Sequence, residues 1–239
     1  MNEFAGLLAN FKEGGLAMYG ILGVGVVAAA IALERFFVIT GASVLNGKKL
    51  TNDVIAQINR GDLNAARNVS RKSNAPAAQV VQAVLSVPEL EESKLQSAAD
   101  DAAALAMPPL TRRLAHLNVM ANISTLVGLL GTITGLITAF AAVGAADPSQ
   151  RSAFLAKGIS MALNCTAFGL LVSIPTLLTQ GFLVGLVEGI GEQVDESGIR
   201  VSRALLASAA RGQVVPMPAR TTPSGAQARG PFVPQGGQP

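Results

Sequence analysis

Three long uncharged apolar segments constrain this chain more than any other feature of its sequence. Residues 14–33, 117–146 and 158–187 contain no Asp, Glu, Lys, Arg or His. Each segment reaches the roughly 20 residues that an α-helix needs to cross the hydrocarbon core of a bilayer. We therefore predict an all-α membrane protein with three transmembrane helices, the first of which covers 14–40, with a helical extension between the first two.

The composition argues against several other classes of protein. Charged residues make up only 14% of the chain, whereas a soluble domain carries roughly 25%. One cysteine, Cys165, and one histidine, His116, argue against a disulfide framework and against a metal site built from these side chains. The net charge of +3 is too small to indicate a nucleic-acid partner. We expect no cofactor and no metal.

The distribution of basic residues predicts the orientation in the membrane. Residues 41–116 hold nine Lys and Arg, and the segment after Val187 holds five. The N-terminus has only Lys12, and the 147–157 connection has only Arg151 and Lys157. By the positive-inside rule, the large loop and the C-terminal segment face the cytoplasm of a bacterial inner-membrane protein, while the N-terminus and the short loop face the periplasm.

The large loop, 41–116, is predicted to be helical. Thr51 is expected to cap a helix that runs to Arg60, and a second helix is expected from Asp62 to about Ser73. A third is expected over 77–87, ended by a proline, and a fourth from residue 89 into the second span. Prolines at 108 and 109 predict a kink in this last helix.

The terminal segments carry weaker signals. Apolar residues at helical spacing (Phe4, Leu7, Leu8, Phe11) favour a periplasmic surface helix over 1–13, with a frayed terminus as the alternative. Residues 188–213 are predicted to form a cytoplasmic helix. The last segment, 214–239, contains six prolines and four glycines and is predicted to be disordered.

The second and third spans each carry a face of small and polar residues at steps of three and four. On the second span it comprises Ala121, Thr125, Gly128, Thr132, Gly135, Ala139 and Ala142, and on the third Ala162, Thr166, Gly169, Ser173, Thr176 and Gln180. Such faces either pack helices closely or line a narrow polar pore, and spacing alone leaves both interpretations open. We assign packing to Gly128, Gly131, Gly135, Gly169 and Pro175, and possible pore lining to Thr125, Ser173, Thr176 and Gln180.

No Asp, Glu, Lys, Arg or His lies within the inner part of any span, although a proton relay normally needs an ionisable group there. If the chain conducts protons, another subunit must supply the carboxylate. Glu34 and Arg35 at the end of the first span are interpreted as interfacial residues, either marking the boundary or paired with each other or with a neighbour.

Four motifs in their expected order resemble the MotA/TolQ/ExbB proton-channel family, most closely its ExbB/TolQ branch. They are GLLGTITGLITAF at 128–140, GISMALNCTAFGLLVSIP at 158–175, ALERF at 32–36, and GD at 61–62 followed by AAR at 65–67. The resemblance covers about residues 1–195. It implies a homopentamer whose second and third spans surround a pore, in which an ExbD/TolR-like single-span dimer places its essential aspartates.

The resemblance assigns the proton pathway to Thr132 and Thr166, which match the family's two pore-facing threonines. It implies conversion of proton motive force into work for TonB-type transport, Tol-type envelope maintenance or gliding motility, through a TonB/TolA-like or gliding-machinery protein. Met161 stands where ExbB and TolQ usually carry a glutamate, which leaves the proton exit route open. The alternative is a structural membrane scaffold without ion conduction. Neither interpretation makes the chain an enzyme.

Overall fold

The computed structural model describes residues 15–42 and 44–212, and within them the regular structure is helical throughout, without a strand. The helices are α1 (Gly15–Gly41), α2 (Val44–Asn59), α3 (Leu63–Arg71), α4 (Pro76–Ser86), α5 (Glu92–Ala106), α6 (Pro108–Thr111), α7 (Leu114–Ala145) and α8 (Arg151–Ala210). The predicted surface helix over 1–13 and the predicted disordered segment 214–239 lie outside the described residues.

Three helical stretches are long and apolar enough to cross a membrane. They are Ala17–Gly41, a window within Glu92–Ala145, and a window within Arg151–Ala210. They correspond to α1, α7 and the first half of α8, and these three helices pack against one another. The prediction of an all-α fold with three apolar helices is confirmed.

The second half of α8 packs with α2, α4 and α5, and α3 packs on α2 and α4; we call this group of helices the loop bundle. Its core is aliphatic and includes Val54, Ile58, Val84, Leu95 and Leu205, each at most 2% exposed. The bundle forms because α2, α4 and α5 each present an apolar stripe, which becomes buried against the long helix. The loop is thus packed onto a continuation of the third apolar helix rather than forming a core of its own.

Local signals in the loop correctly located α3 and α4. Asp62 precedes α3, and its Oδ1 accepts a hydrogen bond from the backbone N–H of Ala65 at 2.8 Å. Pro76 occupies the first turn of α4, where a backbone N–H would have no acceptor within the helix, so that proline costs no hydrogen bond. The predicted helix cap at Thr51 is wrong: α2 begins at Val44, so Thr51 lies inside the helix. Its hydroxyl is buried and donates to the carbonyl of Gly47 at 2.9 Å.

The two prolines at 108 and 109 break the helix that leads into the second span. α5 ends at Ala106, α6 is a four-residue turn, and α7 begins at Leu114. Between them Arg113 adopts φ 71°, the left-handed region. A glycine usually occupies such a position, because a Cβ there crowds the following carbonyl oxygen.

α8 is a single helix that unites segments predicted to be separate. The predicted 147–157 loop is shorter in the structure, because α8 already begins at Arg151. The predicted helix over 188–213 is the continuation of the third span and not a separate element. Pro175 lies inside this helix, which continues on both sides of it.

Candidate functional site

The α7–α8 contact is made by residues that have little or no side chain. A Cβ added to Gly135 would lie 3.2 Å from the Cβ of Ala162, and one added to Gly169 would lie 3.1 Å from the Cα of Gly128. Such distances leave no room for a larger residue at these positions. Close approach of this kind is how helices associate in a membrane, where dispersion contacts replace the hydrophobic effect.

The packed faces only partly coincide with the predicted small-residue faces. The buried residues are Ala121, Ser124, Gly128, Gly131, Gly135 and Ala139 on α7, and Gly158, Ala162, Cys165, Gly169 and Ser173 on α8. The sequence analysis did not place Ser124 on the α7 face, yet Ser124 Oγ donates to the carbonyl of Gly169 across the interface at 3.1 Å. The packing interpretation therefore accounts for the Gly and Ala members, while most of the Thr members lie at the edge.

α1 packs on one flank of the α7–α8 pair. A Cβ on Gly20 would lie 3.6 Å from Val127 of α7, and a Cβ on Gly25 would lie 3.2 Å from Val172 of α8. Each residue of an α-helix is rotated by about 100° from the one before. On that geometry Val127 and Val172 point to the same side of the pair, and α1 covers that side.

Thr132 and Thr166 lie together on the opposite flank. With Gly128 as the centre of the α7 contact face, Thr132 is displaced by about 40° away from α1, and Thr166 is displaced by about 60° from Gly169 in the same sense. Since Gly131 of α7 packs against Cys165 of α8, the two threonines differ in height by only about two residues, or ~3 Å. Both side chains are half-buried. The two hydroxyls thus lie on the same face of the helix pair.

Both hydroxyls have capacity left to accept hydrogen bonds. Thr132 Oγ1 donates to the carbonyl of Leu129 in its own helix at 2.5 Å. Thr166 Oγ1 lies 3.4 Å from the carbonyl of Gly128 on the neighbouring helix, to which it donates. A hydroxyl that donates one bond still carries two acceptor lone pairs, and its rotation reverses the direction of donation. This pair can therefore accept from a protonated carboxyl and donate to a carboxylate.

The other predicted polar residues are placed differently. Thr125 is exposed on the flank of Thr132 and donates to its own helix, to Ala121 O at 3.2 Å, whereas Ser173 is buried in the α7–α8 contact. Thr176 lines the groove between α1 and α8, and its hydroxyl donates to the carbonyl of Val172 at 2.7 Å.

Two further predicted residues lie outside the threonine pair. Pro175, which we assigned to packing, is exposed and lies in the wall of the groove between α1 and α8. Gln180 is half-buried one helix turn beyond Thr176. The structure therefore brings together Thr132 and Thr166 with Thr125 beside them, and it leaves Thr176 and Pro175 beside α1.

Met161 lies on the α1 flank. A Cβ on Gly15 of α1 would meet Met161 Cε at 2.6 Å, and Met161 shares a groove with Tyr19 and Thr134. Position 161 thus faces away from Thr166, five residues later in the helix. An ionisable residue at this position would not lie on the threonine flank.

Charged groups collect at the other end of α1. Glu34 pairs with Arg35 at 2.9 Å and with Arg113 at 2.7 Å. The sequence placed the first two at the membrane interface and left a partner for them open, and Arg113 is that partner. Among residues 15–42 and 44–212 there is no group of three or more His, Cys, Asp and Glu placed to hold a metal ion.

Comparison with known proteins connects this helix arrangement to a membrane family. Residues 72–196 match the model of the MotA/TolQ/ExbB proton channel family. A putative biopolymer transport protein ExbB homolog of Methanothermobacter thermautotrophicus is 27% identical over 190 residues, which are 79% of this chain and 66% of the relative.

Two bacterial relatives show the same likeness. The putative biopolymer transport protein ExbB-like 3 of Synechocystis is 28% identical over 69% of this chain and 79% of the relative. The biopolymer transport protein ExbB of Aquifex aeolicus is 36% identical over 31% of this chain, and the matched part spans half of the relative's length. All three similarities point to the same kind of membrane protein.

Proposed function

The chain belongs to the MotA/TolQ/ExbB proton channel family, and from this premise we propose that it is the ring-forming subunit of a proton-driven motor in the inner membrane. In this proposal α7 and α8 line the channel, and a single-span ExbD/TolR-like partner supplies the titrating carboxylate. A member of a channel family is not an enzyme. In this proposal the proton flow is converted into mechanical work.

One observation carries the proposal: Thr132 and Thr166 come from separate spans and lie on one flank of the α7–α8 pair, opposite α1. If α1 is on the outside of a ring, the threonine flank faces the axis. Five copies would then present ten hydroxyls around a central helix. The Gly and Ala contacts of α7 with α8 support this arrangement, because they leave the threonine flank free for a different neighbour.

The chain's own residues can form hydrogen bonds with a proton-carrying carboxyl group of another subunit, but they do not supply that group. The three spans contain no Asp, Glu, Lys, Arg or His except Glu34 and Arg35 near one end of α1. A carboxylate in a low-dielectric channel is stabilised by hydroxyl donors, and the protonated form by hydroxyl acceptors. Protonation of the partner's carboxyl would therefore exchange its hydrogen bonds with Thr132 and Thr166, and release it to move to the next copy.

We place residues 41–116 and the segment after Val187 in the cytoplasm, because fourteen of the eighteen Lys and Arg lie in these two segments. In this orientation the single-span partner would contact the driven machine on the periplasmic side. TonB-type transport, Tol-type envelope maintenance and gliding are the outputs that the family offers. The names of the relatives, which are biopolymer transport proteins, favour the first of them.

Hydroxyl removal at constant shape tests the role of the threonine flank. Thr132→Val and Thr166→Val are each expected to lower proton uptake into proteoliposomes that contain the complex by about tenfold or more, since each lost bond to a charged group is worth about 1.5–3 kcal/mol. Thr132→Ser should retain uptake.

Thr134→Val is the matched control. The hydroxyl of Thr134 also donates to its own helix, to the carbonyl of Leu130 at 3.0 Å, but it lies on the α1 flank of α7. Uptake that is equally insensitive to valine at 132, 166 and 134 would refute the role of the threonine flank. A wild-type complex that shows no uptake would support the scaffold without ion conduction.

The ring itself is tested by purifying the chain with the single-span partner and by determining the mass and image of the intact complex. We expect a five-fold ring that encloses partner helices beside Thr132 and Thr166. A monomer or dimer that is indifferent to the partner would overturn the motor architecture.

A further inference from the structure

The segment between α5 and α7 connects the loop bundle to the second span. Because the helix is broken there, a backbone carbonyl lacks its usual partner within the helix. In an unbroken helix the carbonyl of Pro109 would accept from the N–H of Arg113. Here Arg113 has φ 71°, the only positive φ of a residue other than glycine within the described residues. α6 ends at Thr111 with Arg112 as its C-cap, and the left-handed Arg113 precedes α7, which starts without a side-chain cap.

α1 holds both sides of this break through two adjacent side chains. Arg35 Nη1 donates to the carbonyl of Pro109 at 3.0 Å, which satisfies the acceptor that the break leaves free. Glu34 accepts from Arg113 Nη1 at 2.8 and 2.7 Å through its two carboxylate oxygens. Arg35 Nη2 also donates to Glu34 at 2.9 Å, so the two α1 residues brace each other. We call these four groups the clasp.

The clasp is only partly removed from water. Arg35 is 6% exposed, whereas Glu34 and Arg113 retain about half of their side-chain exposure. A buried guanidinium is costly unless it is paired, and here it is held between a carboxylate and a carbonyl. The clasp therefore fastens the end of α1 to a single position of the chain, the residue that precedes α7.

We propose that Glu34, Arg35 and Arg113 are positioning residues for the channel: the clasp fixes the residue at which α7 begins and thereby the rotation of Thr132 towards the channel axis. Without the clasp the start of α7 could rotate about the helix axis within the limits set by the contact of Gly128 with Gly169. Thr132 lies only about 40° from the centre of that contact, so a limited rotation changes how it faces the channel axis. The role of the clasp in channel activity rests on the proposed function. Its effect on helix rotation does not.

A double-mutant cycle in the full complex tests the pair. Glu34→Gln and Arg113→Gln each break it from one side: the first keeps the side-chain length, and the second replaces the guanidinium with a shorter neutral amide. Each is expected to lower proton uptake about tenfold, and the double variant also about tenfold rather than a hundredfold, because both remove the same interaction. Arg113→Lys keeps the charge and should remain near the wild type, and Arg112→Gln is the control for loss of a neighbouring charge.

The rotation of α7 is measured by cysteine labelling, which does not depend on proton flow. In a Cys165→Ala background, single cysteines at 132, 133 and 134 are labelled with a water-soluble thiol reagent in the assembled complex. We expect strong labelling at 132 only, and a fall of labelling at 132 with a rise at a neighbouring position when Glu34→Gln or Arg113→Gln is added. Independent multiplicative losses in the cycle, or an unchanged labelling pattern in the clasp variants, would overturn the proposal. If the wild-type complex moves no protons but the clasp variants still shift the labelling, the channel function is refuted and the effect of the clasp on helix rotation stands.

Discussion

The tightest contact between the spans gives a quantitative prediction about Gly158. A Cβ placed on Gly158 would lie 2.1 Å from the Cβ of Ala139 and 3.0 Å from its Cα. Carbon atoms in contact are about 3.5–4.0 Å apart, so Gly158→Ala forces α7 and α8 apart by about 1.5 Å at this level. Neither Cβ can rotate away, because each is fixed by its helix backbone.

Overpacking of this kind costs about 1–3 kcal/mol, and we expect the upper end here. For a chain of this length that corresponds to a fall in Tm of roughly 6–12 °C. Thermal unfolding of the purified protein in detergent, followed by circular dichroism, measures it. Gly181→Ala on the same helix is the matched control, because no atom lies within 4 Å of its added Cβ.

A reciprocal exchange separates the clash from a general intolerance of alanine. Gly158→Ala combined with Ala139→Gly moves the methyl group from one helix to the other. The contact that remains is 3.0 Å to the Cα of residue 139, so we expect recovery of part of the lost Tm. Equal Tm values for Gly158→Ala and Gly181→Ala, or no recovery in the exchange, would refute the close packing of α7 on α8.

Three further predictions concern the loop bundle and are read from the same unfolding measurement. Asp62→Ala removes the cap of α3 and should cost about 1 kcal/mol, whereas Asp53→Ala at an exposed site within α2 should cost much less. Thr51→Val removes the 2.8 Å bond to Ser197 and should cost about 1 kcal/mol, with Ser197→Ala adding little in the double variant. Arg67→Gln removes two bonds, at 3.2 and 2.7 Å, to the last turn of α4 and should cost about 1–2 kcal/mol.

Local signals were enough for much of the fold. The spans follow from runs of uncharged residues and the start of α3 from Asp62, whereas the two adjacent prolines predicted a kink where the structure has a full break before α7. Each of these signals acts within one turn of helix, so no tertiary contact is needed to interpret it. The continuity of α8 was missed because a predicted boundary of the membrane was treated as a boundary of the helix.

Long-range contacts explain what the sequence could not provide. Thr51 resembles a helix cap, but α2 extends past it because its hydroxyl is buried against Ser197 of α8. The small-residue stripe contains both packing residues and the threonine pair, and only the position of α1 separates the two flanks. The partner of Glu34 is 79 residues away in the sequence, and no periodicity identifies Arg113 as that partner.

The length of α8 has a mechanical consequence. The helix has 60 residues, which is about 90 Å at 1.5 Å per residue, and Pro175 removes one backbone hydrogen bond within its apolar half. The segment from Pro175 to Ala210 is then a lever arm of about 50 Å. A tilt of only about 5° at the proline would swing the far end of the arm by ~4 Å. If the proposed hydrogen-bond exchange beside Thr166 tilts α8 at Pro175 by this amount, the displacement would be largest at the far end of the loop bundle.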